Sequence, residues 1–410
     1  MSSHPAANPR SPHEAAERRR ELIHHFTSGG AVVIGLALLS LILHHSSILQ
    51  DMQFTNLDVF FFSQKKLPDA DHIVMVPIGS EEFDDTKTFR RHQPLDPKEV
   101  ARIVAAVAAS GPSVIGVDIV TEEWTASDRD LVRTLIAQDN AAAVSTPIVW
   151  IASGPIDEST GKVNVQHLNG LAGFDCVGLP AIVPDSHYVV RQYWPSIDVI
   201  LDGRTVPFPS LSALLNSIDE SKKANCQLAQ EASPAHEGGP ELVNFSGGSA
   251  GFAHFPARVV LDAPKNDDWK KQNPLKGKIV LIGGSFPEAR DRYPTPAGTM
   301  DGVEILGEST LTARHRVRQT GAFLFLFADI FVGFLLLTAT AFRRVWVPLL
   351  SFIVIPLAAM IASFIAFSRF GYFISFIPVM MGVFLHNLVE HAQEDARMKT
   401  ENRQYHAGKT

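Results

Sequence analysis

A chain of 410 residues, 46% hydrophobic and 19% charged, has room for two or three domains. Its formal net charge of −7 argues against a general nucleic-acid binder, which carries a basic face. The two cysteines, Cys176 and Cys226, have neither CxxC nor metal-ligand spacing; they stand either as one disulfide or as two separate buried thiols.

In chain order, the basic stretch "RSPHEAAERRREL" comes first and runs towards the apolar block "GGAVVIGLALLSLIL", Gly29 to Leu43. The core is short enough for a cleaved signal peptide, but no small-x-small cleavage site follows, which favours an uncleaved signal-anchor helix over 26–49. His24-His25 and His44-His45 flank it as interfacial residues.

"HIVMVPI" (His72–Ile78) predicts a strand ending at Gly79. "LDPKEVARIVAAVAASGP" predicts a helix: Asp96 as N-cap, Pro97 at the first position and Glu99 completing a reciprocal cap. Val100, Ile103, Val104, Val107 and Ala108 share one face, and Gly111-Pro112 stops the helix. "SVIGVDIV" is a buried strand. Ser127 and Asp130 are expected to cap a second helix reaching Gln138, and "PIVWIA" is a third strand. The β-α-β-α-β order implies a mostly parallel sheet with right-handed crossovers, flanked by helices: an α/β class domain.

The middle is less regular. "PFPSLSALLNS" predicts a helix, and "KKANCQLAQEASPAHEGGP" a mobile loop. "LVNFSGG" and "KIVLIGG" predict two more strands, the second apolar enough for the central sheet. "DGVEILGESTLTARHR" predicts a helix leading towards three further apolar blocks.

Those blocks, Gly321–Phe342, Val345–Phe367 and Phe370–Val389, each supply the roughly 20 apolar residues a membrane span requires. Arg18, Arg19 and Arg20, the Arg343-Arg344 turn, and Arg397, Lys399 and Arg403 all fall on one side if the chain crosses four times. The positive-inside rule then puts both termini in the cytoplasm and the large intervening region outside. Arg314, Arg316 and Arg318 conflict mildly. The expected organisation is a cytoplasmic N-terminus (1–25), a signal anchor (26–49), an extracytoplasmic domain (50–319), three transmembrane helices (320–390) and a cytoplasmic tail (391–410).

Ligands of parallel α/β sheets bind beyond the carboxyl ends of the strands. Those ends supply Glu81 and Glu82 after the first strand and Asp118 after the second, with Glu122 and Glu123 beyond it. Ser285, Arg290, Asp291 and Arg292 follow "KIVLIGG". Together they suit a small polar ligand or a cation; alternatively, Asp118 pairs with Arg292 in a structural ion-pair network. "IGGSFPEARD" lacks the Lys-Ser/Thr ending of a phosphate loop and the dinucleotide glycine spacing. Ser285 lacks a nucleophile elbow, and no histidine pair fits a zinc protease. The chain is therefore expected to be non-enzymatic, without cofactor or metal site. Asp329 lies mid-span, as a coupling or proton-carrying residue or as a hydrogen-bonded bundle residue.

Several segments together resemble the second type of CHASE domain, the sensory extracellular domain associated with cyclases and histidine kinases. These are "NLDVFFFSQ", "PLDPKEVARIVAAVAASGPSVIGVDIV", "VGLPAIVPDSHYVVRQYWP", "VNFSGGSAGFAHFPARVVL" and "LKGKIVLIGGSFPEARDRYPTPAGTMDGVEI". The resemblance covers about residues 50–390. It departs from the family pattern in three places. Gly79-Ser80 stands where an acidic pair is usual. Leu306-Gly307-Glu308 stands where His-Ala-Asn usually follows "GVEI". Only some 20 residues follow the last span, where an output domain is common. The resemblance implies a bacterial inner-membrane sensor or receptor. Its periplasmic domain would perceive a ligand or partner and signal through the bilayer to a separately encoded membrane or cytoplasmic protein, with homo-oligomerisation open. The alternative is a structural or scaffolding subunit of an envelope complex.

Overall fold

The computed structural model describes residues 12–43, 46–62, 67–121, 123–139, 146–152, 156–157, 162–164, 174, 176–185, 187–201, 204–221, 239–245, 251–319, 321–341, 346–375 and 377–407. Helices α1 (Pro12–Leu43) and α2 (Ser47–Phe62) open it. Then come β1 (Ile73–Ile78), α3 (Ser80–Asp84), α4 (Pro97–Ala109), β2 (Val114–Asp118), α5 (Ala126–Asp139) and β3 (Ile148–Ile151). Short strands β4 (Ile156–Asp157), β5 (Lys162–Asn164), β6 (Val177–Gly178), β7 (Ile182–Pro184) and β8 (Val190–Tyr193) lead to the hairpin β9 (Ser196–Leu201) and β10 (Arg204–Pro209). After α6 (Leu211–Ser221) come β11 (Glu241–Leu242), β12 (Ala253–His254), α7 (Ala257–Asp262), α8 (Asp267–Gln272), β13 (Ile279–Gly284), β14 (Arg292–Thr295), β15 (Gly298–Asp301) and α9 (Gly302–Arg314). The chain ends with β16 (Arg318–Gln319), α10 (Ala322–Ala341), α11 (Trp346–Phe370), β17 (Tyr372–Phe373) and α12 (Ile377–Ala407).

Two compact units divide the chain: Asp58–Val317, and Met1–Leu57 together with Arg318–Thr410. The first is α/β. Its central sheet has the order β12-β1-β13-β2-β3-β6, and every pairing in it is parallel. The "KIVLIGG" strand does join this sheet, between the first two strands in sequence.

Strand alternation divides the core between two faces. Val74, Val76, Ile115, Val117, Val280 and Ile282 pack with α4. Ile73, Met75, Val114, Ile279 and Leu281 pack with α6 and α9. The strands are apolar on both sides because helices cover both sides. Gly116 permits the approach of α6: a Cβ there would lie 2.7 Å from Leu281 and 2.9 Å from Leu215.

Several local expectations shift. Asp96 caps α4 by accepting from Lys98 N, but Glu99 pairs with Arg102 at 2.7 Å instead of reaching back to the cap. The cap of α5 is Thr125 with Asp128, not Ser127 with Asp130. The Thr125 backbone N–H donates to the Asp128 carboxylate at 2.8 Å, and Thr125 Oγ1 accepts from Asp128 N at 3.2 Å. The sequence holds Thr-x-x-Asp two residues earlier, and that register satisfies two helix-end donors. Among its described residues, the "LVNFSGG" segment supplies only the end of β11, which pairs with β8 in a separate three-stranded sheet. The expected mobile loop lies almost wholly outside the described residues. Cys176 is buried and disulfide-bonded; Cys226 lies outside the described residues.

The second unit is helical. By length and composition, one helix stretch among its described residues can cross a membrane, Ile353–Phe370; Phe26–Ile42 and Leu326–Thr338 are shorter apolar helices. Helix α1 begins well before the predicted anchor. Where the last apolar block was expected to start, Phe370 still ends α11, and α12 begins only at Ile377 but runs on to Ala407. Gly371 takes φ +66° between the two helices, and Arg318 meets Tyr372 there through a 2.9 Å hydrogen bond from Nη1 to the phenol oxygen.

Candidate functional site

Parallel register brings the expected strand ends side by side. Ile78 pairs with Gly284, and Gly283 with Asp118. The carboxyl edge of β1, β13 and β2 is therefore continuous, and the loops after these strands share it. Ser285 closes the turn: its N–H donates to Ile78 O at 2.9 Å and its hydroxyl to the same oxygen at 3.4 Å.

The candidate residues divide into groups. Glu82 is buried and caps α3, accepting from Gly79 N at 3.0 Å and from Arg258 N at 3.3 Å. Glu81 pairs with the Arg258 guanidinium. Both acids thus tie α3 to α7. Arg290 is exposed and left-handed, at φ 53°, where it ends the turn Pro287–Ala289. Arg292 does not pair with Asp118. Its Nε lies 3.0 Å from Asp301 across the β14–β15 hairpin, because register places Arg292 opposite Asp301. That contact is an ion pair by distance without hydrogen-bond geometry at the Asp301 oxygen.

Asp118 faces a second acid instead. Burial pushes its carboxyl well above the usual range, and the charge of Asp291 adds to the effect. Burial also raises Asp291, partly offset by a hydrogen bond that the Tyr293 hydroxyl donates to it. Tyr293 is in turn pushed up to about 12, by burial first and by Asp291 second. Two desolvated carboxyls at close range disfavour double ionisation. No counter-ion meets Asp118 among the described residues.

The pair is built against a helix start. Gly302 opens α9 and donates its N–H to Asp291 O at 2.8 Å. A Cβ on Gly302 would collide with the Asp291 carboxylate, so only glycine allows this approach. Asp301 and Glu304 form the capping box of α9, with Asp301 N donating to Glu304 at 3.1 Å. Glu304 also meets His254 Nε2 at 3.1 Å. Burial, then Glu304, raises Asp301. At its other end α9 is tied to α6: Arg314 Nε donates to Asn216 at 2.6 Å and the guanidinium pairs with Asp219. Sequence reasoning on strand ends missed Tyr293, Asp301, Gly302, Glu304 and His254. The Asp-Gly-x-Glu signature of a capping box was the available signal for three of them.

The Pro184-Asp185…Val190-Arg191 stretch of "VGLPAIVPDSHYVVRQYWP" plays a structural part. Asp185 accepts from His187 N and Val189 N at 2.9 and 3.0 Å and pairs with Arg191. Arg191 also holds Asp58 with two hydrogen bonds, at 3.0 and 2.8 Å. No group of three or more His, Cys, Asp or Glu among the described residues suits a metal ion.

A family model described as the CHASE2 domain matches residues 32–342, most of the chain. No curated protein and no solved structure matches. The chain belongs to the CHASE2 domain family, a family of extracellular sensory domains.

Proposed function

We propose that this CHASE2 protein is a multi-pass sensor of the bacterial inner membrane. Its α/β unit lies in the periplasm, and four helices carry its state to a separately encoded effector. The ligand site is the strand edge around Asp118 and Asp291. A carboxyl pair in which Asp118 meets no counter-ion among the described residues suits a small molecule with a cationic group, or a partner protein that presents one. The reading includes no catalytic step.

One observation carries it: Asp291 is packed directly onto Gly302, the first residue of α9. That helix spans 13 residues, about 20 Å. Its C-terminus leads through residues 315–321 to α10. A ligand that ionises or displaces Asp291 acts on the start of the helix preceding the membrane segment. The membrane reading is supported by apolar side chains facing outward on α10 and α11, such as Phe323, Phe327, Phe331 and Ile353. The Cys176 disulfide fits an oxidising compartment.

The test places photo-crosslinkers along residues 391–407 in native membranes. Recovery of a signalling protein, at a yield that changes in Asp291→Asn, is the expected result. Recovery of envelope proteins alone, at a yield indifferent to Asp118 and Asp291, would favour the scaffolding alternative and overturn the sensor reading.

A further inference from the structure

Asp329 sits on α10 at 8% exposure. Neither of its carboxyl oxygens has a hydrogen-bond partner. The Ser40 hydroxyl of α1 approaches it without reaching hydrogen-bond geometry. The carboxyl borders a cavity of about 20 Å³, whose other walls are aliphatic: Val33 and Ala37 from α1, Val332 from α10, Val379 and Val383 from α12. One turn along α10, Gly333 meets Val33 so closely that a Cβ would not fit, and Gly29 meets Leu337 in the same way. The acid therefore lies beside the tightest seam between α1 and α10.

We propose that Asp329 and this cavity form a proton-binding site that holds the carboxyl as the neutral acid together with one water molecule, and that the packed arrangement of α1, α10 and α12 is its protonated form. A cavity of this size accepts one water. A metal cation is a poor occupant, because such ions take six or more oxygen ligands and only Asp329 and Ser40 offer oxygens. An ionised carboxylate would have no counter-ion and at most that single water and the Ser40 hydroxyl as donors, which is costly in an apolar interior. No lining residue other than Asp329 is titratable. Proton release therefore requires further water or another donor to enter, and that requires the Gly333–Val33 seam to part. The site rests on helix packing alone and stands or falls independently of the ligand edge.

Infrared spectroscopy of the full chain in lipid vesicles tests it. A carboxylic-acid C=O band should persist at neutral pH, shift on ¹³C-carboxyl labelling of aspartate, and be missing from Asp329→Asn. Cysteines at Gly30 and Phe334, where a Cβ on Gly30 would lie 3.6 Å from the Phe334 ring, report its opening through a short bifunctional thiol crosslinker. Crosslinking should fall several-fold as alkaline pH removes the band, and stay constant in the Asp329→Asn background. Should that variant fail to assemble, Asp329→Leu, which fills the cavity, serves as the second proton-free chain. A band equal in wild type and variant, no band at neutral pH, or a crosslinking profile indifferent to residue 329 would each overturn the proposal.

Discussion

The two units bury acidic side chains and treat them differently. In the α/β unit several acids have a polar partner, with Asp118, which faces Asp291, as the exception. Arg191 lies between Asp58 and Asp185, Arg292 beside Asp301, and Tyr293 against Asp291. In the helical unit Asp329 has an aliphatic cavity. A sheet edge offers loops and helix starts that bring donors to a carboxylate, whereas the inside of a helix bundle offers only side chains at helical spacing. Apart from Asp118, the same residue type is thus held by partners in one unit and left to neutralise itself in the other.

The strongest way to break this contrast is to make an α/β acid resemble Asp329. Arg191→Ala leaves Asp58 and Asp185 without their shared cation. Removing one partner of a largely buried ion pair costs about 3 kcal/mol or more. The expected outcome is a matching fall in the denaturation midpoint of the full chain, followed by tryptophan emission. A shift below about 1 kcal/mol would show that water replaces the guanidinium and that the triad is not a clamp.

Gly302→Ala is next. The added methyl must displace the Asp291 carboxylate, and overpacking of this kind costs about 1–3 kcal/mol. The same denaturation measurement checks it, with crosslinking from residues 391–407 as the functional readout. Gly302→Ala should alter both, whereas a stability loss with unchanged crosslinking would separate α9 from signalling.

Asp118→Asn sharpens the comparison through pH. The carboxyl of Asp118 is raised on folding, so the folded state binds its proton more tightly than the unfolded state does. Its favourable contribution is therefore present in acid. It declines as pH rises above the ordinary carboxylate range towards the raised folded value. The variant should lose that part of the pH dependence and be the more stable form at neutral pH. Unfolding midpoints from mildly acidic to neutral buffer decide the matter; a variant less stable at neutral pH would mean that Asp118 is ionised and paired.

The smallest effect belongs to a site away from the buried acids. Thr125→Ala removes the hydroxyl that caps α5 and should cost about 1 kcal/mol without altering pH dependence or crosslinking. A larger loss, or any change in signalling, would indicate that α5 contributes to the edge.

The sequence by itself determined the alternating α/β order, the apolar two-faced strands, the place of "KIVLIGG" in the central sheet and the kinship with CHASE2 domains. Each of these is written in local periodicity or in contiguous motifs. It also brought Asp118 and Asp291 to one edge, because strand ends in a parallel sheet point the same way.

Only the tertiary structure decided who pairs with whom. Arg292 goes to Asp301 because hairpin register sets them opposite each other, so Asp118 is left facing Asp291. Glu81 and Glu82 are drawn away by Arg258, which lies far along the chain on α7. Asp329 was visible as an acid within an apolar block. That it borders a cavity without a donor depends on which faces of three helices meet, and helical periodicity in a uniformly apolar segment carries no record of that.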